Sequence, residues 1–448
     1  MMASAITPAP MTPTVVSRRG DTCGLYGSRP VNTEAMGPAV DWRRNLAALW
    51  LAEFTAILGF SFAFPFLPLF LHRELGIVSE RSLAFWSGIV AGASGISMAI
   101  ASPIWGWLAD RFGRRSMLIR AMVGGGLSVG LMGLARSAQQ LAALRFLQGG
   151  ASGTVASASA LVAAETPREH VAWALGVLSS AIALGSAVGP AAGGIAGSRY
   201  GLRTVFLAGG GLLLLVLVPV VAVVRETPGR RMRDTSMGSL ARVRAARPGT
   251  LRALGVLIAA QALMQMSYSA AQQLIVLRFI QLSPANAPAI TGITFGAAGL
   301  ATAAAGVSYV RVLRLSGYRR LIVPTACLLG IGIALAAPVR SIGVVVAIII
   351  AVSLLYGALT PALASMIGLE APTEVAAAAF GVSSSAIAVG FGGGPLLGGL
   401  TASAAGVGAG LLLAGAIGLA LAALLALGSR EPDLPRRGVV QAVAEEEV

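Results

Sequence analysis

Lysine is absent from this chain: all 33 of its basic residues are arginine. Cysteine and histidine are nearly absent, with two of each. Cys23 lies in a polar N-terminal tail and Cys327 in an apolar run, which argues against a structural disulfide. His72 and His170 are far apart and show no metal-ligand spacing. No nucleophile elbow, phosphate loop or zinc pattern occurs, so enzyme chemistry has little to stand on and no cofactor or metal is expected. Charge is scarce as well, at 11% of residues, against about 25% in soluble domains. Hydrophobic residues make up 56% and the mean hydropathy is +0.80. Together these values exclude a soluble domain. The net charge of +15 would suggest nucleic acid in a soluble protein. Here the arginines sit between apolar runs, where they set orientation in a bilayer, and no nucleic-acid partner is expected. The choice of arginine over lysine, with the richness in alanine, reads as genomic composition bias.

Long apolar runs fill the space that charge vacates. A helix needs about 20 apolar residues to cross the hydrocarbon. Spans are predicted at 46–71, 83–105, 117–136, 139–163, 171–195, 204–224, 251–278, 286–310, 321–338, 342–366, 374–400 and 405–428. The expected domains are a disordered cytoplasmic tail (1–44), a six-helix bundle (45–224), a basic cytoplasmic linker (225–250), a second six-helix bundle (251–428) and a C-terminal tail (429–448). No cleavable signal pattern is present. Met36, just ahead of Asp41-Trp42-Arg43-Arg44, is an alternative start to Met1. With the N-terminus inside, 25 of the 33 arginines fall on inner segments and seven on outer ones, leaving Arg145 within a span. That bias predicts a multi-pass protein of the cell membrane with both termini cytoplasmic.

One pattern occurs twice. Gly185-Ser186-Ala187-Val188-Gly189-Pro190-Ala191-Ala192-Gly193-Gly194 returns 205 residues later as Gly390-Phe391-Gly392-Gly393-Gly394-Pro395-Leu396-Leu397-Gly398-Gly399. A repeat of half the chain length signals two related halves and not a solenoid. Glycines four residues apart let another helix approach closely, and proline bends the helix. Gly185, Gly189, Pro190, Gly193, Gly194, Gly390, Gly394, Pro395, Gly398 and Gly399 are therefore candidates for a hinge and seal between halves that rock. Simple packing by small residues is the plainer reading, but it does not require the same ten-residue pattern twice.

The first inner loop reads Gly106-Trp107-Leu108-Ala109-Asp110-Arg111-Phe112-Gly113-Arg114-Arg115. It resembles the signature loop of the major facilitator superfamily, G-x-L-a-D-r-x-G-r-r. Its second-half counterpart keeps Gly317-Tyr318-Arg319-Arg320 but has Leu315 in place of the acid. Asp110 at a helix end could bond helix amides or arginines across the cytoplasmic face. Gly106, Asp110, Arg111, Gly113 and Arg114 are accordingly candidates for a cytoplasmic gate. The alternative is a solvated loop charge worth about 0–1 kcal/mol. Leu144-Arg145-Phe146-Leu147-Gln148-Gly149 resembles the R-x-x-q-G motif of proton-coupled drug antiporters in that superfamily. Leu58 to Pro68 resembles their first-span signature, and the Gly185–Gly194 pattern their antiporter motif. The second half rests on the repeat and the span count.

Arg145, Gln148 and Ser152 share one helix face. Among 18 acids, only Glu53 falls well inside a span. Charge inside a span is costly and functional by default, so Glu53 and Arg145 are the proton-coupling candidates. Gln261, Gln265, Tyr268 and Gln272 form a polar stripe at helical spacing, suited to a substrate cavity together with Gln148 and Ser152, or else to helix packing. The expected fold is all-α: twelve transmembrane helices in two pseudo-symmetric six-helix bundles. The resemblance implies a monomeric secondary transporter that exports drug-like amphiphiles in exchange for protons, with small molecules, protons and lipid as its partners. The alternatives are a transporter of a defined metabolite, such as a sugar or siderophore, and a non-transporting membrane sensor or scaffold.

Overall fold

Asp41 caps the first helix, its carboxylate accepting from the amides of Arg43 and Arg44 at 3.1 and 3.3 Å. The computed structural model describes residues 41–227, 248–372 and 375–429. The expected N-terminal tail up to residue 40, most of the linker and the C-terminal tail from residue 430 lie outside the described residues.

The first half runs α1 (Trp42–Ala63), α2 (Leu67–Arg73), α3 (Glu80–Phe112), α4 (Arg114–Met132), α5 (Ala138–Gly150), α6 (Thr154–Glu165), α7 (Val171–Tyr200) and α8 (Leu202–Val223). The second runs α9 (Pro248–Leu282), α10 (Ala287–Ser316), α11 (Tyr318–Leu335), α12 (Ile342–Glu370), α13 (Ala376–Ala405) and α14 (Val407–Gly428). α1 and α2 form one traverse, broken by a 3-10 turn at Phe64–Phe66 where Pro65 and Pro68 remove backbone donors. α5 and α6 form another, so that six traverses stand in each half. Ten helical stretches among the described residues are long and apolar enough to cross a bilayer. The other two traverses carry arginine within α4 and a break between α5 and α6.

Two boundaries differ from the sequence expectation. The span placed at 139–163 is interrupted at 151–153, where Gly153 takes φ +123°, a conformation that a β-carbon disfavours. The linker expected at 225–250 is not free at its start. The Asn45 side chain donates to the Arg225 carbonyl at 2.7 Å and accepts from its amide at 3.0 Å. Thr227 donates through its amide and hydroxyl to Glu165. At its far end, α9 begins at Pro248.

The halves repeat in three dimensions. Gly113 and Gly317 take φ +88° and +85°, and Gly201 and Gly406 take +83° and +89°. Arg115 donates to the Val221 carbonyl at 2.7 Å, and Arg319 to that of Ala426 at 2.6 Å. α3 packs on α13 and α7 on α10, joining the halves along two seams. A β-carbon at Gly399 would lie 2.5 Å from the Gly88 Cα, and one at Gly194 would lie 2.7 Å from the Gly292 Cα. Neither seam admits a side chain there. Both lie towards the α7–α8 and α13–α14 turns. Towards the other end, Ser102, Pro103 and Ile104 of α3 are exposed, and only its Trp105 side meets α4 and α5. The glycine seams close one end of the bundle, and this stretch of α3 is exposed towards the other.

Candidate functional site

Between the halves lies a cavity of about 680 Å³. α1 supplies Ile57, Phe60 and Ser61 and the turn after it Phe64, and α9 supplies Gln265, Tyr268 and Gln272. Gln148, Ser152 and Arg145 come from the α5 segment and its break. Five of the six predicted cavity residues thus share one wall space. Gln261 does not line it: its amide oxygen accepts from the Ser383 hydroxyl and pins α9 to α13. That residue serves packing, the alternative reading of the glutamine stripe.

The α9 wall is ordered by partners that periodicity did not reveal. Tyr268 and Tyr356 stack with ring centroids 3.9 Å apart. The Tyr356 hydroxyl donates to Gln265 at 2.7 Å, and that of Tyr268 shares a hydrogen bond with Ser353 at 2.9 Å. Phe391 stacks on Phe64 at 5.2 Å, one ring from each half. Phe391 stands in the glycine repeat at the position of Ser186, and both line the cavity.

Arg145 is the only charged side chain among the described residues lining the cavity. It is buried and held on three sides. It donates to the Ser94 hydroxyl at 2.6 Å, to the Val90 carbonyl at 3.4 Å and to the Gln148 amide oxygen, and it lies over the Phe64 ring at 5.2 Å. All these acceptors are neutral, so the cavity keeps its positive charge.

Glu53 is fully buried but is not among the cavity residues. It turns towards Thr154 on α6, yet neither carboxylate oxygen makes a hydrogen bond of ordinary geometry among the described residues. Arg145 meets Phe64 in the turn after α1, eleven residues beyond Glu53, about 16 Å of helical rise. The two coupling candidates therefore do not pair. The expectation that Arg145 is the only base deep in a span is also corrected. Arg120, counted from sequence with the inner loop, lies within α4 with its guanidinium 3.5 Å from the Trp105 ring centroid. It donates to the Ser152 carbonyl at 3.0 Å, while Nε and Nη1 are buried without partners among the described residues. Arg120 and Glu53 thus flank the same α5–α6 break.

At the gate, the Asp110 side chain lies outside the described residues. The helix amides it was expected to meet are taken by Glu226, whose carboxylate accepts from Arg114 and Arg115 at 3.0 Å each. Gly113 has no room for a β-carbon beside that carboxylate, which would stand 2.8 Å away. Arg114 donates to the Ala160 carbonyl at 3.1 Å. Arg111 lies against Phe112, and Gly106 faces open space. Glu226 was missed because it stands in a basic, turn-rich stretch that reads as linker.

The hinge candidates divide into two tasks. Gly185 packs on α1 at Phe54 and Ile57, and Gly390 and Gly394 pack on α9 at Ala262 and Met266. Gly398 also meets α9, at Leu274. These join helices within one half. Gly194 and Gly399 make the contacts between halves, beside the Pro190 and Pro395 carbonyls that face Gly292 and Gly88. Gly189 and Gly193 are buried in α7.

Residues 49–284 match the sequence family described as the Major Facilitator Superfamily. The chain is similar to Multidrug resistance protein MdtG of Escherichia fergusonii, 43% identical over 188 residues, 42% of this chain and 46% of the relative. The chain thus spans about half the length of that curated relative. Two solved structures share the fold. The nucleoside transporter NupG superposes with a TM-score of 0.72 at 11% identity, over 85% of this chain and 98% of that one. The human organic anion transporter MFSD10 gives 0.63 at 19% identity, over 87% and 100%.

Proposed function

The chain belongs to the major facilitator superfamily, and from that premise we propose that it exports amphiphilic small molecules in exchange for protons by alternating access. The observation that carries this reading is the cavity between repeated halves, closed at one end by glycine seams, with a buried carboxylate, Glu53, on a helix of its wall that has no charged partner among the described residues. The similarity to a multidrug resistance protein over 188 residues supports the drug-like substrate class. The arginine bias supports termini in the cytoplasm. In that orientation the seams close the outer side and the cavity faces inward. The chain acts as a monomer, with lipid around it and no nucleic-acid partner.

Coupling runs through α1. Glu53 lies outside the cavity, so substrate does not displace its proton by contact. An ionised Glu53 in this packing would be an uncompensated buried charge, which costs several kcal/mol (about 3–5). Loss of the proton therefore drives α1 to a packing where Glu53 meets water or a cation. α1 carries Ile57, Phe60 and Ser61 on the cavity wall and leads into Phe64, so the same movement reshapes the substrate site. Arg145 stays fixed and gives the cavity its charge. Dye uptake in cells stripped of efflux pumps, followed by efflux driven by a pH gradient in proteoliposomes, tests the reading. Dye accumulation unaffected by the protein across a broad panel would refute it.

A further inference from the structure

A second hollow, of about 880 Å³, lies beside the N-terminal ends of α1 and α7. Its walls are Trp42, Arg43, Leu46, Ala47 and Trp50 on one side and His170, Trp173 and Val177 on the other. None of these residues lines the central cavity. α7 shows why. Trp173, Leu184, Val188 and Ile195 are exposed and recur at helical spacing, making one apolar outer face. The α7 residues of the cavity, Ser179, Ile182, Ala183, Ser186 and Pro190, lie on another. The hollow therefore opens to the bilayer, at the end of the spans where tryptophan and basic side chains meet headgroups.

Its chemistry is asymmetric. The deep part is apolar, with Leu46, Val177 and the Trp50 ring, whose Nε1 is already committed to the Ser180 hydroxyl at 3.1 Å. The rim is cationic and aromatic. Arg43 lies 5.3 Å from the Trp42 ring centroid, and Trp42 also meets His170 at 5.3 Å and Trp173 edge-on at 6.4 Å. No acid is among the described residues that line it.

We propose that this groove is a binding site for an anionic phospholipid, its headgroup at Arg43 and His170 and its upper acyl chain between α1 and α7. A basic rim over an apolar slot at a membrane surface selects that ligand over a zwitterionic lipid. The site grips α1 a few turns before Glu53, so its occupant steadies the helix that moves. Lipid binding itself is independent of whether the chain exports.

The test uses tryptophan quenching, since three of the six tryptophans line the groove. The full chain is reconstituted in phosphatidylcholine vesicles. Phosphatidylglycerol brominated on its acyl chains is then compared, mole for mole, with phosphatidylcholine brominated in the same way. The anionic lipid should quench about five-fold more effectively, the weight of about 1 kcal/mol for a basic side chain at an anionic surface. Arg43→Gln should erase the preference, Arg43→Lys should keep it, and Trp173→Phe should lower the quenchable amplitude. Arg43 and Trp173 are exposed, so these variants leave the core intact. Equal quenching by both lipids would overturn the proposal. So would a preference lost equally in Arg136→Gln, at the opposite end of the bundle, because diffuse charge would then explain it.

Discussion

The two halves share a scaffold and differ in charge. The first buries Glu53 and Arg145 and half-buries Arg120. The equivalent positions in the second are Ile258, Ile350 and Pro324. The first half breaks its fourth traverse at Gly153, beside Glu53 and Arg120, while the second runs α12 unbroken from Ile342 to Glu370. Both halves keep the positive-φ glycines, the arginine-to-carbonyl contacts and a seam helix with an internal proline, Pro190 or Pro395. The difference separates two tasks. Closure needs both halves, so its residues come in pairs. In the proposed mechanism proton handling needs one costly buried carboxylate, Glu53 of the first half, while the second half lines the cavity with the neutral Gln265, Tyr268 and Tyr356.

Breaking the charged half should have the largest effect. Glu53→Gln should reduce pH-gradient-driven export in proteoliposomes to the level of empty vesicles, while the mirrored Ile258→Gln retains most of it. Equal loss in both would mean that the halves do not divide the work. Next comes the shared seam. Gly194→Leu and Gly399→Leu should each cut transport by about ten-fold or more, since overpacking of this kind costs about 1–3 kcal/mol. Cysteine accessibility from the outer face should rise in parallel, and unaltered accessibility would remove the seal. Arg145→Lys should lower transport by roughly ten-fold, because an ammonium cannot serve Val90, Ser94 and Gln148 in one plane. Wild-type rates in that variant would leave Arg145 a packing residue. Tyr268→Phe should have the smallest effect. It removes one bond to Ser353, worth about 1 kcal/mol, and should weaken apparent substrate affinity by no more than about five-fold.

Much of this division was legible in the sequence. The glycine repeat carried the two halves because close approach of backbones demands glycine at fixed spacing. Arg145 and Glu53 stood out because charge in an apolar run has no cheap explanation. What escaped notice depended on direction. Glu53 shares the helical stripe of Ile57, Phe60 and Phe64, one turn before the cavity begins, and its carboxyl turns to Thr154 on α6. Gln261 shares its spacing with Gln265 and Gln272, but Ser383 stands opposite it. Arg120 follows a basic loop closely enough to be counted with it. Glu226 sits among arginines and turn residues, and only the folded chain brings it to the α4 amides. Tyr356 lies in an apolar span whose polar partners are on another helix.

The central claim is that the proton belongs to Glu53 and leaves when the protein changes state. Proton release on substrate binding measures it directly. The purified protein is kept in weakly buffered detergent with a pH indicator, and a substrate dye identified by the uptake panel is added. Wild-type protein should release close to one proton per dye bound, and Glu53→Gln should bind the dye and release none. Undiminished release from Glu53→Gln would contradict the account and move the coupling site elsewhere.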